Sequence, residues 1–336
     1  MKPQAPPSGS PSTDAPRVLV SGASGLVGAM LVLSLRARGH AVFRLVRLSP
    51  QTIDEIEWDP AAGRLTLAKD AYFDAVINLA GESVGTRWNR DRKEAILNSR
   101  LESTRVLVGA LMALPEPPRV LVSASALGYY GSRGDEWLTE DSSSGHGFLA
   151  EVCRGWEHEA TVAVDFGVRV VLLRTGLVLT SQGGALAKML PVFRLGLGGR
   201  LATGRQWMSW ITIDDLLEVI HRALADARLT GPINAVTPHP VRNREFTATV
   251  ARVLHRPAVL PVPASALRLL FGEMADATLL ASARAAPTRL QAIGFEFRHP
   301  ELALALKTVL SSVSPAGGLF SCHATRPLSF PPREPK

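Results

Sequence analysis

A nine-residue stretch, Val20-Ser21-Gly22-Ala23-Ser24-Gly25-Leu26-Val27-Gly28, constrains this chain more than any other. It follows a short apolar run, Arg17–Ser21 (RVLVS). It opens Leu26–Arg38, where Val27, Leu31 and Leu35 recur at helical spacing and Gly39 supplies a stop. A strand that enters a helix through glycines spaced GxxGxxG is the context a dinucleotide-binding turn requires. Gly22 permits the tight turn, Gly25 lets the backbone approach a pyrophosphate, and Gly28 lets the helix lie close to the sheet. The unpaired N–H groups of the helix start then face the anion. Taken alone, such glycines would also suit an ordinary βα loop, so the rest of the pattern has to carry the argument.

That pattern is strand, then helix, repeated. Ala41–Val46, Ala75–Leu79 (AVINL), Arg119–Ser123 (RVLVS) and Val168–Leu173 (VRVVLL) read as further strands, and 90–114 and 147–164 as helices between them. Strands apolar along their whole length belong to a parallel sheet covered on both faces. We therefore expect an α/β fold, a doubly wound parallel sheet over residues 17–225. A smaller C-terminal α/β lobe should follow over 226–312, with helix signals at 243–254 and 300–310. Pro-rich tails at 1–16 and 313–336 are expected to be disordered, and the first lacks the apolar core of a secretory signal.

Composition removes several function classes. Hydrophobic residues make up 46% of the 336, enough for a core, yet no run reaches the ~18 apolar residues of a membrane span. The best run, Val168–Thr180, is broken by Arg169 and Arg174. The two cysteines, Cys153 and Cys322, form no CxxC pair, which points away from a zinc site and towards a reducing, cytoplasmic setting. The formal charge of +7 is concentrated after residue 240, but its arginines are spaced singly without interleaved aromatics. That is a solvated basic surface, and neither a nucleic-acid nor a membrane partner is expected. Glu136, Glu140, Asp141 and His146 lack metal-ligand spacing, so no metal is expected, and their Ser/Gly-rich loop reads as a mobile lid.

The end of the second strand bears on cofactor choice. An NAD-binding fold usually places a carboxylate about 20 residues beyond the glycines, on the ribose 2′-hydroxyl. Here Gly28 is followed nineteen positions later by Arg47, the strand also carries Arg44, and no acid appears before Asp54. Cations there fit a 2′-phosphate, with Arg47 the first choice and Arg44 the second, so NADP is the expected cofactor. The alternative is that both are solvent-facing strand ends.

These residues resemble a known family. The GASGLVG turn, Asn78-Leu79-Ala80-Gly81, the stretch 123–131 and Arg174-Thr175-Gly176 are similar to extended short-chain dehydrogenases/reductases. AGESVGTRWN (80–89), GFLAEVCRGWE (147–157) and LGLGGRLATGRQWMSWITIDDL (195–216) resemble its epimerase-family subgroup, the human family 39U type, which carries a small C-terminal domain of unknown function. The resemblance spans about residues 17–310. It implies a Rossmann domain that binds NADP, with Gly22, Ser24, Gly25, Leu26, Val27 and Gly28 around the pyrophosphate and Arg47 on the adenosine phosphate. Leu79, Ala80 and Gly81 would pass beneath the adenine ribose, Glu82 would sit at the inner edge of the cofactor, and Ser123 and Ser125 would face the nicotinamide.

The chain departs from that family at the chemistry. The Tyr-x-x-x-Lys pair, in which the tyrosine moves the proton and the lysine lowers its pKa, is absent. Of three tyrosines, none has Lys four residues on; aligned with the family on Trp156-Glu157, Leu149 and Cys153 stand in the dyad positions, or Phe148 and Val152 if the register slips by one. Three readings stay open. Tyr130, with Ser125 as hydrogen-bond partner, can replace the dyad as the catalytic group. Hydride chemistry alone can survive, with the proton supplied by substrate or water. Or the protein binds NADP(H) without turnover, as a sensor or scaffold. Arg205, Trp207 and Trp210 after a glycine-rich loop suit an anionic or nucleotide-linked small molecule, or else interdomain packing. Asp214 reads as an N-cap, and His221 as structural.

Overall fold

The computed structural model describes residues 15–311, so most of both expected tails, and Cys322 with them, lies outside the described residues. The elements run β1 (Arg17–Ser21), α1 (Leu26–Ala37), β2 (Ala41–Val46), β3 (Glu55–Asp59), β4 (Arg64–Leu65), β5 (Ala75–Asn78), α2 (Arg90–Met112), β6 (Val120–Ala126), β7 (Trp137–Leu138), α3 (Phe148–Thr161) and β8 (Arg169–Thr175). There follow β9 (Leu177–Leu179), α4 (Gly184–Arg194), β10 (Trp207–Met208), β11 (Trp210–Thr212), α5 (Ile213–Ala225), β12 (Gly231–Ala235), β13 (Val241–Arg242), α6 (Asn243–Leu254), α7 (Ala264–Phe271), β14 (Arg284–Ala285), α8 (Thr288–Ala292) and α9 (Leu302–Ser311).

Eight strands form the main sheet in the order β12-β8-β6-β5-β1-β2-β3-β4, all parallel except the β3–β4 pair. Side-chain alternation explains why the central strands are apolar throughout. Val18, Val20, Ile77, Val122 and Val171 pack towards α1 and α5, while Leu19, Val76, Leu121 and Val170 pack on the α2 side. The chain builds outward from β1 through β2, then crosses to β5 on the other side. The carboxyl ends of β1 and β5 therefore border the crevice where such sheets take ligands.

The structure corrects the domain boundary expected at residue 225. β12 returns to the main sheet beside β8, so the sheet extends to residue 235. The smaller lobe in turn draws on residues before the boundary: Leu179, Leu186, Leu190 and Phe193 pack with Phe246, Val250 and Leu306. The chain enters the lobe after β8, comes back for α5 and β12, and leaves again. Sequence order cannot show this, because the two visits are separated by a helix and strand of ordinary composition.

α5 is capped by Thr212, whose hydroxyl accepts from the Asp215 N–H, in place of the expected Asp214. Asp215 itself is buried and accepts from the backbone N–H groups of Arg298 (2.8 Å) and His299 (3.1 Å), which ties the C-terminal segment to the start of α5. His221 is structural, as expected. It lies buried 2.8 Å from the Ser34 hydroxyl, and burial, with the charge of Arg38 and the neighbouring His40, pulls its pKa down to about 3. Between that value and the ordinary 6.5 the unfolded chain binds a proton the native chain refuses. Stability should thus fall as pH drops below 6.5, with this residue contributing up to about 1.4 kcal/mol per pH unit. Denaturant melts between pH 7 and 5 check this, since His221→Gln should flatten the slope.

Candidate functional site

The glycine turn has the geometry its spacing predicts. Gly22 sits at φ +69°, and a Cβ there would lie 2.6 Å from the Leu79 carbonyl. A Cβ on Gly28 would fall onto the carbonyl oxygen of Gly22. The Gly25 N–H closes the turn onto that same oxygen at 3.0 Å. Gly25 then starts α1 with no side-chain cap and no acidic residue in the first turn. At α2 the Asn89 side chain fills the corresponding place, and at α5 Thr212 does. The first N–H groups of α1 are left for an anion, beside the exposed Ser24 and Gly25 and the half-buried Leu26 and Val27.

Facing this turn is the segment after β5. The Leu79 N–H donates to the Ser21 hydroxyl, and the Glu82 N–H donates to Ser99. Arg100 reaches up from α2, donates to the Glu82 carbonyl at 2.9 Å and lies over the Trp156 ring at 5.0 Å. Its Cζ is 3.1 Å from where a Cβ on Gly81 would be, so Leu79–Glu82 rests directly on this guanidinium. Sequence reasoning missed Arg100, because a lone arginine on a polar helix carries no signal until the loop above it is placed. On the other rim, Gly183 abuts Leu26, and the Lys188 amine of α4 comes to the loop at Gly85.

The two arginines of β2 have different surroundings. Arg44 donates to Asp54 and Thr52 and pairs with Glu55 at 3.0 Å, which fixes it along β3. Arg47 is 76% exposed, with Glu82 at 3.9 Å the carboxylate near it. Of the pair, Arg47 is available to a 2′-phosphate; the second choice, Arg44, is withdrawn because it is already neutralised by two carboxylates.

The serine strand and the tyrosine are corrected more deeply. Ser123 is fully buried and accepts from Asn78, which also accepts from Ser21; it braces β1, β5 and β6 and does not line a cleft. Tyr130 is fully buried too. Its hydroxyl donates in the direction of Asn234 (2.7 Å) and the Thr139 carbonyl (2.9 Å) and accepts from Arg174 (3.0 Å). Burial pushes its pKa up to about 12 despite the nearby Arg174 charge. The catalytic role expected of Tyr130 falls: a phenol so enclosed braces Arg174, Asn234 and the Thr139 carbonyl and is closed to a substrate. Cys153 is likewise a buried free thiol, raised to about 11 by burial and by the Glu157 charge.

Ser125 sits differently. It extends two residues past Ser123, the partner of the last residue of β5, and its hydroxyl donates to Glu157 of α3 at 2.7 Å. Arg174 of β8 grips the same carboxylate with two bonds of 2.9 Å. Burial opposes the charge on Arg174, but Glu157 outweighs it and the guanidinium pKa moves upward. The sequence held a clue that went unused. Arg174 interrupts an apolar strand and Glu157 an apolar helix face, and two charges in core positions ask for each other.

The loop expected to be a lid is instead a bracket. Glu140 is 2% exposed and accepts from the N–H groups of Asn234 and Arg289 and from the Thr288 hydroxyl. It thereby joins the 131–146 segment to β12 and α8. Among the described residues no group of three or more His, Cys, Asp or Glu is placed to hold a metal. No helix among them is long and apolar enough to cross a membrane. Trp210 is fully buried, with its indole N–H on the His239 carbonyl, so packing is its role. Trp207 donates to Asp135 and is covered by Arg242 and Arg284.

Residues 18–235 match the NAD dependent epimerase/dehydratase family, and residues 262–309 match a domain of unknown function, DUF1731. The chain belongs to the NAD dependent epimerase/dehydratase family. Among its relatives is an epimerase family protein of Mycobacterium bovis, 42% identical over 86% of this chain and 96% of its own. Human epimerase family protein SDR39U1 is 36% identical over 88% of this chain and 100% of its own. The crystal structure of that human protein (isoform 2) with NADPH superposes with a TM-score of 0.82 at 35% identity, covering 88% of this chain and 100% of the other. A nucleoside-diphosphate sugar epimerase from Corynebacterium glutamicum gives 0.71 at 38% identity, over 89% of this chain and 59% of that one. Within this family the present chain has the Rossmann sheet, the glycine turn and the small C-terminal domain expected from its sequence.

Proposed function

We propose that the chain binds NADP(H) in the crevice between β1 and β5 and works as an oxidoreductase or epimerase-like enzyme on an anionic or nucleotide-linked small molecule. The observation that carries this reading is the pairing of an uncapped α1, at the end of a turn that admits no Cβ at Gly22 or Gly28, with an available Arg47. That the human relative was crystallised with NADPH supports the same choice. Gly22, Ser24, Gly25, Leu26 and Val27 would hold the pyrophosphate, Arg47 the 2′-phosphate, and Leu79, Ala80 and Gly81 the adenine ribose. When bound, the nicotinamide supplies a hydride donor or acceptor; proton handling falls to the protein. The cytosol is the compartment we assign, in keeping with the free thiol of Cys153.

Fluorescence titration with NADPH and, in parallel, NADH tests the reading. Tight NADPH binding with much weaker NADH binding is expected, and no binding of either sinks it. Arg47→Ala should weaken NADPH roughly 10- to 100-fold, the worth of a charge-assisted phosphate contact, and leave NADH unchanged. Arg44→Ala should leave both affinities nearly as they are.

One observation favours a rival, a catalytically silent NADP(H)-binding sensor or scaffold acting through protein partners. No Tyr-x-x-x-Lys occurs anywhere in the sequence, and Tyr130 is enclosed. The rival predicts tight NADPH binding with no oxidation of the bound dinucleotide by any member of a broad carbonyl panel.

A further inference from the structure

We propose that Arg284, held between two tryptophan rings, is the centre of a binding site for the oxyanion of a small molecule, a phosphate or a carboxylate. The site draws on neither the glycine turn nor the end of β6, and it does not rest on the NADP(H) reading above.

Strand register builds it. β7 and β14 pair in parallel with Trp137 opposite Arg284, and β10 and β13 pair antiparallel with Trp207 opposite Arg242. The Ala283 N–H donates to the Trp207 carbonyl at 3.2 Å, which lays β14 alongside β10. The four side chains therefore form one cross-strand row in the order Trp137, Arg284, Trp207, Arg242. The guanidinium carbon of Arg284 stands 3.9 Å from the Trp137 ring centroid and 4.2 Å from that of Trp207. That of Arg242 stands 4.6 Å from Trp207.

The two arginines differ in what they donate to. Arg242 donates to the Arg205 carbonyl at 2.6 Å and to Asp135 Oδ1 at 3.1 Å. The Trp207 indole N–H donates to the same oxygen at 2.7 Å, so this acid is engaged at the Arg242 end of the row. Among the described residues no hydrogen bond or ion pair holds the Arg284 guanidinium, and its Nε is buried without an acceptor. Indole faces attract the cation but offer no lone pair in the guanidinium plane, where all of its N–H groups point. Arg100 and Arg174 also lie on aromatic rings, yet each donates to protein oxygens as well. A planar cation covered on both faces and unanswered in its own plane is preorganised for a bidentate oxyanion from outside the chain. The row reaches the surface at Trp137, which is 47% exposed, and its ring gives the organic body of such a ligand a face to lie against.

Calorimetric titration of the full chain, with NADPH present so that the glycine turn is taken, tests the site. Two probes, inorganic phosphate and benzoate, separate a phosphate ligand from a carboxylate one. At least one is expected to bind with a millimolar dissociation constant. Arg284→Met, which keeps a stem between the rings but removes the charge and the donors, should weaken it about tenfold or more, the worth of a charge-assisted contact. Arg284→Lys keeps the charge but loses the planar fork, and its affinity should fall between the two. Arg205→Met, at an exposed neighbour outside the row, should leave binding as it is. Should the Arg284 variants fail to fold, hydrogen exchange in the wild-type chain decides, since the bound probe should slow exchange in 135–138 and 282–286. Binding of neither probe overturns the proposal. So does equal binding by the methionine variant, or protection confined to other segments.

Discussion

Arg174→Ala is expected to destabilise the protein by about 3–5 kcal/mol, the cost of leaving one partner of a buried ion pair uncompensated. Arg174 is 3% exposed and donates to both oxygens of Glu157, to Tyr130 and to the Glu140 carbonyl. Removing it strands the Glu157 carboxylate and takes a donor from two further buried acceptors. At roughly 2–4 °C of Tm per kcal/mol for large domains, a thermal melt should show the loss plainly. The contrast is Arg105, whose guanidinium is 64% exposed where it meets the half-buried Glu159. Arg105→Ala should cost under about 1 kcal/mol, because solvent already screens that pair. Equal effects from the two substitutions would mean that the network around Glu157 is not the keystone between β6, β8 and α3.

Gly28→Ala should abolish measurable NADPH binding and also lower stability. The methyl group cannot fit: its carbon would coincide with contact space of the Gly22 carbonyl oxygen and come within 2.9 Å of Ala23 Cα. Both atoms are backbone, so relief requires α1 to move away from the turn, which carries the first N–H groups off the anion position. Forcing a methyl into packed backbone costs typically about 1–3 kcal/mol. The affinity loss should exceed about 100-fold, since in the proposed function the turn and helix start together hold the pyrophosphate. Gly109→Ala on exposed space in α2 is the matched control, as nothing lies within 4 Å of a Cβ there. Binding by the Gly28 variant at near wild-type affinity would show that the dinucleotide sits elsewhere.

Much of the fold was legible because its signals are local. Apolar runs without alternation mark strands buried on both faces, and β1, β2 and α6 lie where they were expected. Among the strands that escaped notice are β3, with Glu55, Glu57 and Asp59 among its five residues, and β12, which opens with Gly-Pro. Their sheet membership comes from neighbours, not from their own composition. The glycine turn was readable at Gly22 and Gly28, where a Cβ would run into backbone, since a missing side chain states a backbone requirement directly.

The site chemistry divides along the same line. A position relative to a strand end can be counted, so the Rossmann sheet, the glycine turn and the cation Arg47 beyond β2 are legible in the residues themselves. What a polar group does depends on what lies opposite, and folding sets that. It enclosed Tyr130, tied Arg44 to Asp54 and Glu55, and turned the Glu140 loop from lid to bracket. It also brought Ser125, Glu157 and Arg174 together from three separate elements. The physical reason is that hydrogen bonds and ion pairs act over about 3 Å, while the partners here are 17 to 32 residues apart along the chain.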